Sequence, residues 1–175
     1  VPFRDISDIR DLESLNFYRL AAARGEAEKA WQAILRKGRD NARVPMQWSA
    51  EQRAGFTTGT PWLMVNPNHD HINVDAAEQD PNSVLHFYRA LLSLRSKSRK
   101  LIYGDFRLIE REHPQVFAYT RTVEDEMMTV LCNMSGKEAR LTNAVSGACV
   151  LRNMHGEMEE RLLAPYEARV IRSRV

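Results

Sequence analysis

Arg39, Asp40, Asn41 and Arg43 crowd two guanidinium groups, a carboxylate and a carboxamide into one short stretch. A guanidinium is always charged and presents a rigid fork of donors, so it can fix the hydroxyls of a ligand in one orientation. It can equally form an ion pair, with Asp40 or with a carboxylate elsewhere in the fold. The residues from Arg39 to Asp80 show no sustained periodicity and are rich in turn formers, among them Gly55, Gly59, Pro61, Asn66 and Pro67. Long irregular segments inside a domain are commonly functional, which makes this the first place to look for a site. His69 and His71 have the residue type of a metal pair, but in a turn-rich loop they read as solvated histidines. No metal or cofactor is expected. Trp48 and Trp62 could stack on a ligand, yet tryptophans in such loops more often anchor packing, and packing is the expectation.

The elements that must position this segment are helical before it and mixed after it. Asp11 to Arg24 carries Leu12, Leu15 and Leu20 between polar residues, with Gly25 as a stop signal. Glu26 to Lys37 places Ala30, Trp31, Ile34 and Leu35 on one face of an amphipathic helix. Asp80-Pro81 is expected to open a further helix, Asp80 as cap and Pro81 at the first position. Its face would be Val84, Leu85, Tyr88, Leu91 and Leu92. From about Tyr103 the pattern alternates. Candidate strands hold Phe106 and Leu108, Val116 to Thr120, Met127 to Cys132, Leu141, Cys149 to Leu151, Leu162-Leu163, and Arg169 to Ile171. Short strands at this spacing suggest an antiparallel sandwich or barrel. The chain is therefore α+β, dividing into residues 1–100 and 101–175.

Bulk properties exclude several classes of function. Basic and acidic residues, 25 and 23, are interspersed and leave a net charge of +2, with no basic stripe for nucleic acid. Cys132 and Cys149 make no disulfide framework, and Cys132 reads as a buried free thiol in an apolar run. No apolar stretch approaches the roughly 18–20 residues of a membrane span. Val1-Pro2-Phe3-Arg4-Asp5 is not a signal peptide and lacks an initiating methionine, so a cytoplasmic location and an origin in a longer chain are expected.

The run Arg39-Asp40-Asn41-Ala42-Arg43-Val44-Pro45-Met46-Gln47-Trp48 resembles a segment of oligo-1,6-glucosidases and their close relatives in the α-amylase superfamily. The likeness continues through Ala54-Gly55-Phe56-Thr57-Thr58-Gly59, Pro61-Trp62, Val65-Asn66-Pro67-Asn68 and Asp80-Pro81-Asn82-Ser83-Val84. Upstream, Arg10-Asp11-Leu12-Glu13-Ser14-Leu15-Asn16 is similar to the family's helix after the seventh-strand region. Leu163-Ala164-Pro165-Tyr166-Glu167-Ala168 is similar to its closing strand. Val44 departs from the family's usual threonine.

The resemblance implies the end of a (β/α)₈ barrel, helices and a long loop, followed by an all-β antiparallel sandwich domain. Such barrels carry their active sites on the loops at the C-terminal ends of the strands. Retaining α-glucosidases use two carboxyl groups about 5–5.5 Å apart, as nucleophile and as acid/base. The family's motifs for these, on strands four and five, do not occur in this sequence, and neither does the third aspartate's. Asn68-His69-Asp70 matches the last as a string but lies downstream of its place and reads as coincidence. No catalytic residue is therefore assigned. Arg39 aligns with an arginine that holds the non-reducing-end glucose, and Glu13 with a glutamate near the leaving sugar. Asp40 and Asn41 would brace the loop through backbone hydrogen bonds, and Arg43 would be a pairing residue.

The implied parent is a retaining α-glucosidase acting on α-1,6-linked oligosaccharides. Alternatives within the family are a dextran glucosidase, a trehalose-6-phosphate hydrolase, and an isomaltulose or trehalulose synthase. Alternatives outside catalysis are a structural or carbohydrate-binding module, and the heavy chain of an amino-acid transporter. The expected partners are the oligosaccharide and the rest of the barrel. By itself the chain is expected to rearrange or self-associate, because residues 1–100 would expose apolar faces.

Overall fold

Asp11 starts the first helix, α1 (Leu12–Ala22), of a computed structural model that describes residues 1–175. Its backbone is extended and its carboxylate accepts from the Ser14 amide, satisfying one of the helix's unpaired donors. The chain leaves the helix through Gly25, whose φ of 78° suits a residue without Cβ. The second helix, α2 (Ala27–Lys37), buries Ala30 and Ile34, one turn apart on the same face. Ile34 joins Phe3, Ile9 and Leu63 in one core, with Leu15, Tyr18, Trp31 and Leu35 packed around it. Of the leucines expected to face this core from α1, only Leu15 does. Leu12 and Leu20 are exposed, because the buried side of α1 runs through Asp11, Ser14 and Tyr18 instead.

The segment without periodicity is built from short pieces, each held by capping rather than by pattern. A 3₁₀ turn spans Arg39–Ala42. Arg53, Ala54 and Gly55 follow one another with φ of 57°, 56° and 64°, a left-handed turn costing roughly 1–2 kcal/mol for each non-glycine residue. The turn is held because Ala54 is fully buried and its carbonyl accepts from the amides of Trp48 and Ser49. Asn66 caps a 3₁₀ turn over Pro67–Asp70, and Asn73 caps α3 (Val74–Gln79), a helix not expected from the sequence. These residues, to Pro81, form one compact unit of the chain.

The second unit, Asn82–Val175, opens with α4 (Val84–Lys97). Its cap is Ser83, whose side chain accepts from the His86 amide. Asp80 and Pro81 lie ahead of the helix rather than opening it, and Asp80 instead ends α3. None of the side chains of α4 is buried, and Val84, Tyr88 and Leu92 are exposed. Ser98 caps α5 (Arg99–Tyr103).

Seven strands follow: β1 (Asp105–Ile109), β2 (Val116–Val123), β3 (Glu126–Asn133), β4 (Ala139–Arg140), β5 (Ala148–Arg152), β6 (Leu162–Leu163) and β7 (Ala168–Arg174). They form a five-stranded antiparallel sheet in the order β1-β2-β3-β7-β5 and a two-stranded ribbon of β4 and β6. Val116, Ala118 and Leu131 on one face of the sheet pack with Ala139, Leu141 and Leu163 beside or on the ribbon. Met128 and Val170 on the opposite face pack with Leu101 of α5. β3 is thus covered on both faces, which explains its nearly continuous apolar run. Cys132 is only half-buried, since it sits on the less covered face; burial still pushes its thiol pKa up.

A polar knot lies inside this unit. Glu167, almost wholly buried, accepts from Arg152 Nε at 2.5 Å, Arg169 at 2.9 Å and the Ala164 amide at 2.8 Å. Arg169, equally buried, also donates to the carbonyls of Glu159 and Leu162. Burial alone would raise the Glu167 carboxyl. The hydrogen bonds from Arg152, Ala164 and Arg169 outweigh it and hold the group below the usual carboxylate range.

Candidate functional site

Asp11 is the hub of the site, and Asp40 sets it in place. The buried Asp40 carboxylate accepts from the backbone amides of Arg10 at 2.6 Å and Asp11 at 2.9 Å. This ties the start of α1 to the 3₁₀ turn at Arg39–Ala42, some thirty residues along the chain. Asn41 donates from Nδ2 to the carbonyls of Leu35 at 3.1 Å and Gly38 at 3.2 Å, satisfying acceptors that the end of α2 leaves open. Both residues therefore brace the loop through backbone groups.

The side chains of three elements then converge. One Asp11 oxygen accepts from the Ser14 amide and hydroxyl, at 3.0 and 2.8 Å. The other takes Arg39 at 2.8 Å and Arg43 at 3.5 Å. Glu13, on the first turn of α1, meets the same Arg39 nitrogen at 2.9 Å. Of the two pairings open to it, Arg39 thus takes carboxylates elsewhere in the fold, Asp11 and Glu13, and not its neighbour Asp40. Asp40 spends its charge on the two amides instead. The Arg39 side chain remains 54% exposed and Glu13 78%, so both are positioned but open to a ligand.

The Asp11 carboxyl is held below the usual carboxylate range, first by the Ser14 hydroxyl and further by the Ser14 amide and Arg39, against the opposing effect of desolvation. A carboxyl lowered in this way cannot act as a general acid near neutral pH, where a raised value is needed. Both amides go to one Asp40 oxygen, Oδ2, while the buried Oδ1 has no partner, and Glu13 is paired with Arg39. The cluster is suited to binding and orienting hydroxyl groups. Because the folded pKa of Asp11 is depressed, its stabilising contribution is present above the unfolded value of about 3.9 and lost as pH falls through the lower folded value. The drop in melting temperature between pH 7 and pH 3 should therefore be smaller in Asp11→Asn than in the unaltered chain. Equal drops would contradict this assignment.

The remaining residues singled out in the loop stand apart from the cluster. His69 donates from Nδ1 to the Asn66 carbonyl at 3.0 Å, and His71 pairs with Asp70 at 2.5 Å. No group of three or more histidine, cysteine, aspartate or glutamate side chains is arranged to hold a metal. Trp48 and Trp62 are not packing anchors within this chain. They are 50% and 56% exposed, because the buried side of their loop is occupied by Ala54 and Leu63. The sequence had not marked Asp11 as a site residue. Its signal was an aspartate three positions before Ser14, an N-cap pattern, but its arginine partners lie about thirty residues away.

The family model for the catalytic domain of alpha-amylase matches residues 14–104, more than half of the chain. The chain belongs to the α-amylase family. It is 41% identical to the oligo-1,6-glucosidase of Parageobacillus thermoglucosidasius, with all of this chain and 33% of that protein aligned. The crystal structure of Bacillus licheniformis trehalose-6-phosphate hydrolase is 36% identical, with a TM-score of 0.87 over 97% of this chain and 33% of the other. Isomaltulose synthase from Klebsiella sp. LX3 is 30% identical, with a TM-score of 0.90 over 98% and 32%. The chain spans about a third of the length of the curated relatives it matches. No helix is long and apolar enough to cross a membrane.

Proposed function

We propose that this chain is the C-terminal part of a retaining α-glucosidase that releases glucose from the non-reducing ends of α-1,6-linked oligosaccharides. Residues 1–100 form the last part of the barrel and residues 101–175 its β domain. The nucleophile and the acid/base lie outside the chain, which is inactive by itself. Arg39 is the observation that carries this reading. Its guanidinium is fixed between Asp11 and Glu13, stays half exposed, and belongs to the Arg39–Trp48 run that resembles oligo-1,6-glucosidases. In this role Arg39 holds the glucose on the non-reducing side and Glu13 the leaving sugar. Asp40, Asn41 and Arg43 keep the two in place. The partners are the oligosaccharide and the rest of the barrel, in the cytoplasm, and the chain by itself self-associates through its exposed apolar residues.

The structural likeness to trehalose-6-phosphate hydrolase and isomaltulose synthase favours a second reading, in which the same scaffold serves a phosphorylated disaccharide or sucrose. The test is a substrate panel on the chain joined to its upstream region. Glucose released from isomaltose in preference to trehalose 6-phosphate and sucrose supports the first reading. Preference for either of the others replaces it.

A further inference from the structure

A cavity of about 250 Å³ lies between α1 and α2, directly beside the Arg39–Glu13 pair. Its floor is made by Ser14 and Ile34, both buried, and one wall is Phe17, which is 50% exposed. Glu13, Arg39 and Lys37, the last at the end of α2, also line it, together with the buried Asp11. An apolar wall with a few charged groups at its edge is the usual make-up of a small-ligand site. A sugar fits this chemistry, since it offers an apolar C–H face to an aromatic ring and hydroxyls to charged donors and acceptors. Phe17 is on the same face as Glu13, one turn on, so a saccharide leaving the Glu13–Arg39 pair runs onto it.

We infer that Phe17 and Lys37 form a further saccharide subsite, which takes the second sugar on the leaving side of the scissile bond. Phe17 carries the sugar's apolar face, and the Lys37 ammonium donates to its hydroxyls. Isomaltotriose reaches this subsite and isomaltose does not, so the site sets a preference for the longer substrate. The inference rests on the α-1,6-glucosidase reading.

The experiment measures kcat/KM for isomaltotriose and isomaltose in the chain joined to its upstream region. Phe17→Ala should lower the isomaltotriose-to-isomaltose ratio about tenfold, the loss of one aromatic contact. Lys37→Gln, an exposed change that does not threaten folding, should lower the same ratio by a smaller factor. Phe17→Trp should keep it. An unchanged ratio in both Phe17→Ala and Lys37→Gln overturns the inference, and a lower melting temperature without a change in ratio identifies Phe17 as a packing residue. If the unaltered enzyme hydrolyses neither sugar, the underlying reading falls and takes the subsite with it.

Discussion

Replacing Glu167 by alanine is expected to destabilise the β-rich unit by about 3–5 kcal/mol, the cost of removing one partner from a buried ion pair. The side chain is enclosed between Arg152, which is partly exposed, and Arg169, which is buried. Without it Arg169 keeps the carbonyls of Glu159 and Leu162 but loses its only counter-charge, and the Ala164 amide loses its acceptor. Arg169 Nε already lacks a partner, so the site has little capacity to absorb a second orphan. Glu167→Gln retains an acceptor for one donor and should cost less than alanine. Urea unfolding of the 175-residue chain, followed by circular dichroism, gives both values. A loss below about 1 kcal/mol for alanine would show that the knot relaxes, and would contradict the account of it.

Arg39→Ala, in the chain joined to its upstream region, is expected to lower kcat/KM for isomaltose about a hundredfold. A charged hydrogen-bonding partner truncated at a binding site typically costs about 2–5 kcal/mol, and each 1.4 kcal/mol is tenfold. Part of that loss comes through Asp11 and Glu13, which the guanidinium holds together. Arg39→Lys separates the contributions. An ammonium keeps the charge that Asp11 and Glu13 need, but has no planar fork with which to fix two hydroxyls. Activity in Arg39→Lys should therefore remain low while its melting temperature stays near that of the unaltered protein. Recovery of both in the lysine variant would make Arg39 a structural pairing residue only.

Most of the β unit was legible because its strands alternate. In β2, Val116 and Ala118 are buried while Phe117 between them is 48% exposed, a period of two that the residue types already display. The amphipathic α2 was legible for the same reason at helical spacing, through Ala30 and Ile34. The pieces between Arg39 and Asp80 were not, since each is only a few residues long and is set by one side-chain cap. Asn73 caps α3 and Ser83 caps α4, and no periodic signal distinguishes them from Asp80. The left-handed Arg53-Ala54 pair could not be read either, because only tertiary burial of Ala54 makes an unfavourable backbone tolerable.

Residue types in the site were visible, but their pairing was not. Arg39 and Glu13 stood out by resemblance, and Asp40 and Asn41 as braces. That Arg39 turns away from its neighbour Asp40 to Asp11 depends on the two amides that capture Asp40 first. Such competition between long-range partners leaves no local trace in sequence. The exposure of Trp48 and Trp62 is likewise a property of the folded loop, not of the residue types.

The central claim, that this chain positions a sugar for reactive carboxylates located elsewhere, is tested most directly by glucose release from isomaltose. The purified 175-residue chain would be assayed beside the same chain with its upstream region restored. Turnover is expected from the longer protein and none from the chain alone. Turnover by the short chain would contradict it, and would place the reactive carboxylates among Glu13, Asp40 and Asp70.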